Sequence, residues 1–201
     1  MTHTEAQHHV DGLVGGWFDS DLTPRGHEQA VCVAAAVAER IGTSAVRLYS
    51  SDLRRAHHTA RHIADRLGVN VTTDDRLRER SFGEAEGRPK EWLHGRTEPL
   101  PPDGDLLTHH DGPAGAETRL QLVHRLQAAF DEILAESYDT VVIVSHGSAT
   151  SNLISLWLGI PIAAIGQGFF PLAAGSITHL AVSQAHRSHN VVALNDTAHL
   201  E

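Results

Sequence analysis

The sequence predicts an α/β protein with a mostly parallel sheet covered by helices on both faces. Helical and strand patterns alternate along the 201 residues, and the strand candidates are short apolar runs such as Val46–Tyr49 and Val141–Val144. Helix start and stop signals separate these runs. This alternation is typical of a buried parallel sheet, whose crossover connections are helices. Because no repeat or low-complexity linker divides the chain, we expect one domain over residues 1–201.

The first long helix has clear boundaries. Thr23 is the predicted N-cap, Pro24 occupies the first helical position, and Gly42 ends the helix after Ile41. The other elements follow in chain order: a strand at 46–49, a helix at 53–67, a strand at 69–73, loops with one short helix at 84–115, a helix at 116–136, a strand at 140–145, a helix at 148–159, and late strands at 177–182 and 191–194.

Two strand-to-helix junctions are the expected ligand-binding region. Residues 48–55 and 141–147 both run from an apolar strand into a helix. Parallel sheets bind ligands at the carboxyl ends of their strands, where helix N-termini offer free N–H groups to anions. Arg55 and His146 are predicted to lie at this edge.

Composition excludes several classes of function. The formal net charge is −9, which argues against non-specific nucleic-acid binding and against binding to anionic membranes. The apolar runs are too short to cross a bilayer, and no signal-peptide pattern is apparent. Cys32 is the single cysteine, so no internal disulfide can form. We therefore expect a cytoplasmic location, and any cations that bind an anionic substrate must be local to a pocket.

Taken singly, none of the 16 histidines is decisive, but an ordered set of motifs is. The motifs are Thr2-His3-Thr4-Glu5, residues 16–26 (GWFDSDLTPRG), residues 51–60 (SDLRRAHHTA), residues 77–87 (LRERSFGEAEG), Ala116-Glu117-Thr118 and Ser145-His146-Gly147. This set resembles the histidine phosphatase superfamily, which includes cofactor-dependent phosphoglycerate mutases and many phosphatases. The resemblance covers nearly the whole chain.

The resemblance implies a phosphoryl-transfer site without a cofactor or metal. His3 is the expected nucleophile, since a neutral imidazole attacks phosphorus and forms a labile N–P bond. Glu79 is the expected proton donor to the leaving oxygen, and His146, if protonated, stabilises charge on the phosphoryl oxygens. The expected substrate-binding residues are Arg55, Thr2, Thr4, His9 and Gly147. An arginine can bind phosphate oxygens bidentately.

The first motif departs from the family pattern. Thr2 replaces an arginine, Thr4 a glycine, and His9 and Leu13 stand where many members have asparagine and arginine. Loss of one arginine contact lowers phosphate affinity by roughly 10–150-fold. The family also places a core strand before the nucleophile, and only Met1 and Thr2 precede His3. We expect that strand to be encoded upstream of Met1.

These observations favour a phosphomonoesterase that acts on a small phosphorylated metabolite. A phosphoglycerate mutase is disfavoured, because Arg88, Lys90 and Arg96 do not form the adjacent arginine pair of mutases and Phe82 stands where they carry tyrosine. The alternative is a catalytically weak or inactive relative that binds a phosphorylated ligand or a partner protein. The oligomeric state is left open by the sequence.

Some residues are predicted to have structural roles. Trp17 and Asp19 are expected to pack against and cap the first helix. Glu117 either favours a helix start as a first-turn acid or orients catalytic groups. His58 and His62 have the i, i+4 spacing of metal ligands, but the sequence shows no third ligand, so solvated helix residues are expected.

Overall fold

A computed structural model describes residues 1–136, 138–183 and 185–201. Its sheet has three parallel strands in the order β2-β1-β3: β1 (Val46–Ser50), β2 (Val71–Thr73) and β3 (Thr140–Val144). The central strand pairs Leu48 with Val71 on one side and with Val142 on the other. The predicted parallel strands are confirmed. The second begins at Val71, not at residue 69, because the N–H of Val69 still bonds to the preceding helix.

Seven α-helices are formed by the residues that the structure describes. They are α1 (Gln7–Val10), α2 (Pro24–Ile41), α3 (Arg54–Leu67), α4 (Lys90–His94), α5 (Arg119–Ala135), α6 (Gly147–Trp157) and α7 (Ile162–Ile165), with 3-10 turns at Asp75–Leu77, Gly83–Ala85 and Ala198–Leu200. The start of α2 is as predicted, since the Thr23 hydroxyl accepts a hydrogen bond from the N–H of Gly26. Gly68 ends α3 in the left-handed conformation, which glycine adopts without steric cost.

The start of α5 differs from the prediction of residue 116. Thr118 and Gln121 form a capping box, in which each side chain bonds to the other residue's backbone N–H. Ahead of the cap, Ala116 pairs with Phe82 as an isolated bridge, and the N–H of Glu117 bonds to the Ser81 carbonyl. These bonds hold residues 116 and 117 extended, so the helix begins at Arg119.

The sheet is covered on both faces, as predicted. Neighbouring residues of a strand point to opposite faces. Leu48 belongs to the core cluster that α2 and α3 complete, whereas Tyr49 belongs to the one that α5 and α6 complete. Both side chains are buried. Among the helices that the structure describes, none is long and apolar enough to cross a membrane.

The late strands are the main departure from a parallel sheet. β4 (Ile177–Ser183) and β5 (Ser188–Asp196) pair with each other, antiparallel, in a separate two-stranded sheet. Parallel pairing needs a crossover of roughly a dozen residues or more, and the sequence leaves too few between these strands.

The first three residues continue the sheet beside β3. The N–H of His3 donates to the Ser145 carbonyl (2.9 Å), and the N–H of Ser145 donates to the Met1 carbonyl (3.0 Å). Thr2 forms a parallel bridge with Ser145. The residues ahead of His3 therefore already pair with the end of β3, and His3 lies at the carboxyl edge of the sheet.

Candidate active site

A cavity of about 380 Å³ opens at the carboxyl edge of the sheet. Its lining comprises Thr2, His3, His8, His9, Leu13, Gly15, Gly16, Glu79, Phe82, Lys90, His146, Gly147, Ser148, Phe169, Leu172 and Ala174. A larger, more open depression of about 620 Å³ lies along α2 around Cys32 and Ala36, and it contains none of the predicted site residues. The chemistry therefore belongs to the smaller cavity.

His3 is held in the form that a nucleophile needs. Its Nδ1 lies 2.7 Å from the Thr4 carbonyl oxygen, which only accepts hydrogen bonds, so the ring proton is on Nδ1. This leaves a lone pair on Nε2, which accepts a hydrogen bond from Arg55 Nε at 3.3 Å. Burial, and then the charge of Arg55, hold the pKa of His3 well below its usual range. The imidazole is therefore neutral. Among the described residues, its Nε2 lone pair accepts only that one long hydrogen bond.

Arg55 is anchored directly behind His3. It lies in the first turn of α3, and its guanidinium donates to the carbonyls of Phe18 and Gly16, both at 2.7 Å. Burial lowers the pKa of Arg55 to about 10, so the group stays charged at neutral pH. These bonds aim the guanidinium at His3 Nε2, the position that an incoming phosphoryl group would approach.

Asp19 supports this arrangement in an unexpected way. The prediction that it caps the first long helix is wrong. Its carboxylate accepts from the N–H of Arg54 at 2.7 Å, so it caps the start of α3 instead. It therefore fixes the helical turn that carries Arg55.

His146 lies beside His3, with ring centroids 5.0 Å apart in an edge-on arrangement. Its Nε2 lies 2.9 Å from the Ser51 hydroxyl, and its buried Nδ1 has no partner among the described residues. Burial, followed by the charge of Arg55, holds the pKa of His146 well below its usual range. The role expected for His146, stabilising charge on the phosphoryl oxygens, requires its protonated form. In the free protein it is neutral, and a bound phosphate dianion would favour its protonation.

Because these buried histidines are held in their neutral form, we expect acid to destabilise the fold. The pKa of His8 is also lowered, to about 3, mainly by burial. Between pH 6.5 and these lowered values, His3, His8 and His146 take up protons in the unfolded chain and not in the folded one. Stability is therefore complete above pH 6.5 and falls below it, by roughly 1.4 kcal/mol per pH unit for each histidine.

Urea unfolding at pH 7, 6 and 5 measures this effect. We expect His8→Asn to flatten the pH dependence by about one histidine's share. His124→Asn, at an exposed position of α5, should leave the slope unchanged. A free energy of unfolding that stays constant from pH 7 to 5 would contradict the proposed protonation states.

Glu79 reaches the same cavity from the other side. One carboxylate oxygen accepts from the N–H of Ser148 at 2.9 Å, in the first turn of α6, and the other accepts from its neighbour's N–H, that of Arg80, at 2.8 Å. A Cβ at Gly147 would lie 3.8 Å from Glu79 Oε2, an ordinary contact distance, so this approach does not depend on glycine. The carboxyl group is thus positioned by backbone groups at the mouth of the site.

Trp17, Glu117 and Arg125 fix the backbone of Glu79. Trp17 Nε1 donates to the Glu79 carbonyl at 2.7 Å, which gives Trp17 a role at the site and not only in packing. The Arg125 guanidinium donates to the same carbonyl and forms a two-point ion pair with Glu117. Glu117 also accepts from the N–H of Ser81. Of the two predicted roles for Glu117, the geometry favours orienting the loop of Glu79. No sequence signal pointed to Arg125.

The two threonines of the first motif do not both face a substrate. Thr4 does not line the cavity; its buried hydroxyl donates to the Gly26 carbonyl at 2.8 Å. We therefore drop Thr4 from the expected phosphate donors, because its hydroxyl proton is already used. Thr2 lines the cavity, yet its hydroxyl donates to the Ala173 carbonyl at 2.5 Å and accepts from the N–H of Ser176. It ties the 173–176 loop to the sheet edge.

Two further histidines and a lysine line the cavity. His9 lines the cavity and stacks on His3 with ring centroids 5.5 Å apart. His8 was not predicted as a site residue. Its ring centroid lies 4.1 Å from that of His9, and its Nδ1 contacts the Ser20 hydroxyl. Lys90, at the start of α4, adds a cation to the lining.

The chain is similar to known proteins over most of its length. The family model of the histidine phosphatase superfamily (branch 1) matches residues 1–197. The chain is 31% identical over 173 residues to a glucosyl-3-phosphoglycerate phosphatase of Mycolicibacterium vanbaalenii, a match that covers 81% of this chain and 74% of that protein. It is 35% identical over 165 residues to a probable phosphoglycerate mutase, GpmB, of Yersinia enterocolitica, with 80% and 74% covered.

A solved structure extends the similarity to the fold. A mycobacterial glucosyl-3-phosphoglycerate phosphatase, determined as a complex with VO3, superposes with a TM-score of 0.79 at 26% identity. The match covers 98% of this chain and 96% of that one.

Proposed function

The chain belongs to the histidine phosphatase superfamily, and we propose that it is a phosphomonoesterase that hydrolyses a small phosphorylated metabolite through a phosphohistidine at His3. The observation that carries this proposal is the fixed tautomer of His3. Its Nδ1–H is held by the Thr4 carbonyl, and its Nε2 lone pair faces Arg55 and the cavity.

In the first step, His3 Nε2 attacks phosphorus and the ester P–O bond breaks. The imidazole becomes positively charged, and the hydrogen bond from Nδ1–H to the Thr4 carbonyl stabilises that charge. The hydrogen bond that Arg55 Nε–H donates to Nε2 in the free protein is redirected to a phosphoryl oxygen. Glu79, in its protonated form, gives its proton to the leaving oxygen.

In the second step, water attacks phosphorus and the N–P bond breaks. Glu79, now a carboxylate, takes a proton from the water, and inorganic phosphate leaves with His3 restored. His146 and Arg55 stabilise the charge spread over the phosphoryl oxygens in both steps. Both steps use the same groups, which suits the small number of polar residues in the cavity.

The lining favours a substrate that carries a second anion. Among the described lining residues, Lys90 is the one lysine or arginine. Arg55 lies behind His3, and Arg88 and Arg96 are absent from the lining. Both of those arginines lie over the Trp92 ring instead. Leu13, Phe82 and other apolar side chains complete the wall. We infer a phosphomonoester with a carboxylate near an apolar or uncharged body.

Lys90→Met tests this inference. We expect KM to rise roughly 3–10-fold for a phosphorylated hydroxy acid, with little change in kcat, because an exposed ion pair stabilises binding by about 1 kcal/mol. For a simple alkyl phosphate KM should not change. Arg88→Met is the matched control, since it removes a nearby cation that does not line the cavity. Equal effects of Lys90→Met on both substrates would exclude the second anion.

The proposed activity is tested by phosphate release from an aryl phosphate and from a panel of phosphorylated metabolites. Phosphate release that is lost when His3 or Glu79 is replaced would support the proposed phosphatase activity. Saturable binding of inorganic phosphate without any turnover would instead favour the binding-protein alternative.

The resemblance to a probable mutase gives a second candidate. A mutase would convert 3-phosphoglycerate to its 2-isomer faster than it releases phosphate, which phosphorus NMR distinguishes. We expect release only, because Lys90 alone among the three cations of this loop region lines the cavity.

A further inference from the structure

A second cluster of ligating side chains lies away from the catalytic cavity. Asp21, His27 and His58 each place one potential ligand atom within 4.8 Å of the others. His62, one turn further along α3, adds its Nε2 at 3.2 Å from His27 Nδ1. None of these four residues lines the catalytic cavity. The sequence shows no third ligand for His58 and His62. The fold supplies His27 from α2 and Asp21 from the residues just before it.

We propose that Asp21, His27 and His58 bind one divalent transition-metal ion of the zinc type. Imidazoles and a carboxylate are donors that Zn²⁺ takes in proteins. Cu²⁺, Ni²⁺ and Co²⁺ accept the same donors, whereas Ca²⁺ and Mg²⁺ prefer oxygen alone. The proposal is independent of the phosphatase activity.

Small side-chain shifts would bring the ligand atoms to the distances that such an ion requires. With Zn–N bonds of about 2.0–2.1 Å in a tetrahedral site, neighbouring ligand atoms lie roughly 3.3 Å apart. The ligand atoms of Asp21, His27 and His58 lie within 4.8 Å of one another, so those that are too far apart must close by up to about 1.5 Å around an ion. His58 Nδ1 and Asp21 Oδ1 lie 2.6 Å apart in a hydrogen bond, so they must open by less than about 1 Å to coordinate an ion.

Nearby charges do not block the site. The cation facing Asp21 is Arg54, 3.8 Å from its other carboxylate oxygen. Arg54 has its own partner in Asp19, at 3.3 Å, and it also donates to the Asp19 carbonyl. An ion can therefore take Asp21 while Arg54 remains paired. The ligands are half-buried or exposed, which gives an ion access from solvent.

A bound ion would connect three parts of the chain. Asp21 precedes α2, His27 lies near the start of α2, and His58 lies on α3, which carries Arg55. The segment ahead of Asp21 also supplies the Phe18 carbonyl that anchors Arg55. The ion should therefore stabilise the folded protein from outside the catalytic cavity.

The experiment titrates tag-free, chelator-treated protein with Zn²⁺ at pH 7.5 against a chromophoric chelator, and repeats it with Co²⁺ to record the d–d absorption of a tetrahedral site. We expect one tight ion per wild-type chain. His58→Asn should weaken binding by at least about 10–100-fold, the loss that even an outer-shell partner produces. The His27→Asn/His58→Asn double variant should lose the Co²⁺ spectrum.

Two controls separate this cluster from the other histidines. His124→Asn, exposed on α5, and His3→Ala, in the catalytic cavity, should both keep the tight ion and its spectrum. Zn²⁺ at 100 times its Kd should raise Tm by roughly 5–10 °C in these proteins and not in the double variant.

Three results would overturn the proposal. These are the absence of a tight ion in the wild type, unchanged binding in a folded His58→Asn protein, and loss of the ion in His3→Ala. The last result would assign the ion to the catalytic histidines. Circular dichroism of each variant checks folding.

Discussion

His3→Ala should reduce phosphate release by at least about a thousandfold, because it removes the atom that accepts the phosphoryl group. Among the described hydrogen bonds, neither His8 nor His146 has a ring nitrogen bonded to Arg55, so we expect neither to substitute for it. The Nδ1 of His8 contacts Ser20 and the Nε2 of His146 contacts Ser51, whereas His3 Nε2 faces the guanidinium of Arg55. Initial rates on an aryl phosphate measure the loss.

The variant should remain folded. His3 is buried, and its lowered pKa reflects an environment that disfavours its charged form. Replacing it with alanine therefore removes one acid-sensitive group while the Thr2 and Ser145 pairing of the backbone stays. His124→Ala serves as the exposed control. If His3→Ala retained most of its turnover with a normal melting curve, the assignment of the nucleophile would be wrong.

Glu79→Gln should slow poor leaving groups far more than good ones. An alkoxide needs a proton as it leaves, whereas a nitrophenolate needs it much less. We expect a loss of roughly 10²–10⁴-fold in kcat on an alkyl phosphate and a much smaller loss on p-nitrophenyl phosphate. The ratio of the two losses is the measurement.

In the Glu79→Gln variant the amide oxygen of the new side chain can still accept from the N–H of Ser148. The N–H of Arg80 loses its acceptor, because the amide nitrogen is a donor, but the loop should stay in position through its backbone contacts. Trp17 and Arg125 bind the backbone carbonyl at this position and are unaffected by the change. Equal losses on both substrates would remove Glu79 from the acid role and leave it a purely structural part of the cavity wall.

The elements that the sequence predicted well depend on local signals. Thr23 and Pro24 begin α2, Gly68 ends α3, and the apolar run before Ser145 forms β3, because capping and strand patterns act over a few residues. The start of α5 was misplaced. The capping box at Thr118 depends on local pairing, but the extended stretch before it depends on contacts with residues 81 and 82.

Only the site residues that belong to sequence motifs could be predicted. His3, Glu79 and His146 line one cavity and Arg55 lies behind His3, because their motifs follow the strands that end at one sheet edge. Arg125, Lys90 and the histidine cluster at Asp21 come from separate parts of the chain. Their proximity depends on tertiary packing, for which a single sequence contains no periodic signal. The hydroxyl of Thr4 was misjudged for the same reason, since its partner is the carbonyl of Gly26.

The central claim is that His3 carries the phosphoryl group during turnover. Rapid-quench labelling with a ³²P-phosphomonoester, followed by peptide mapping, tests it most directly. We predict a label on His3 that survives alkali and is lost in acid, as an N–P bond is. The label should accumulate in Glu79→Gln with an aryl phosphate, since the base that activates water is missing, and it should be absent from His3→Ala. Two results would contradict the account: a label on another residue, or turnover without any trapped phosphoprotein in both the wild type and Glu79→Gln.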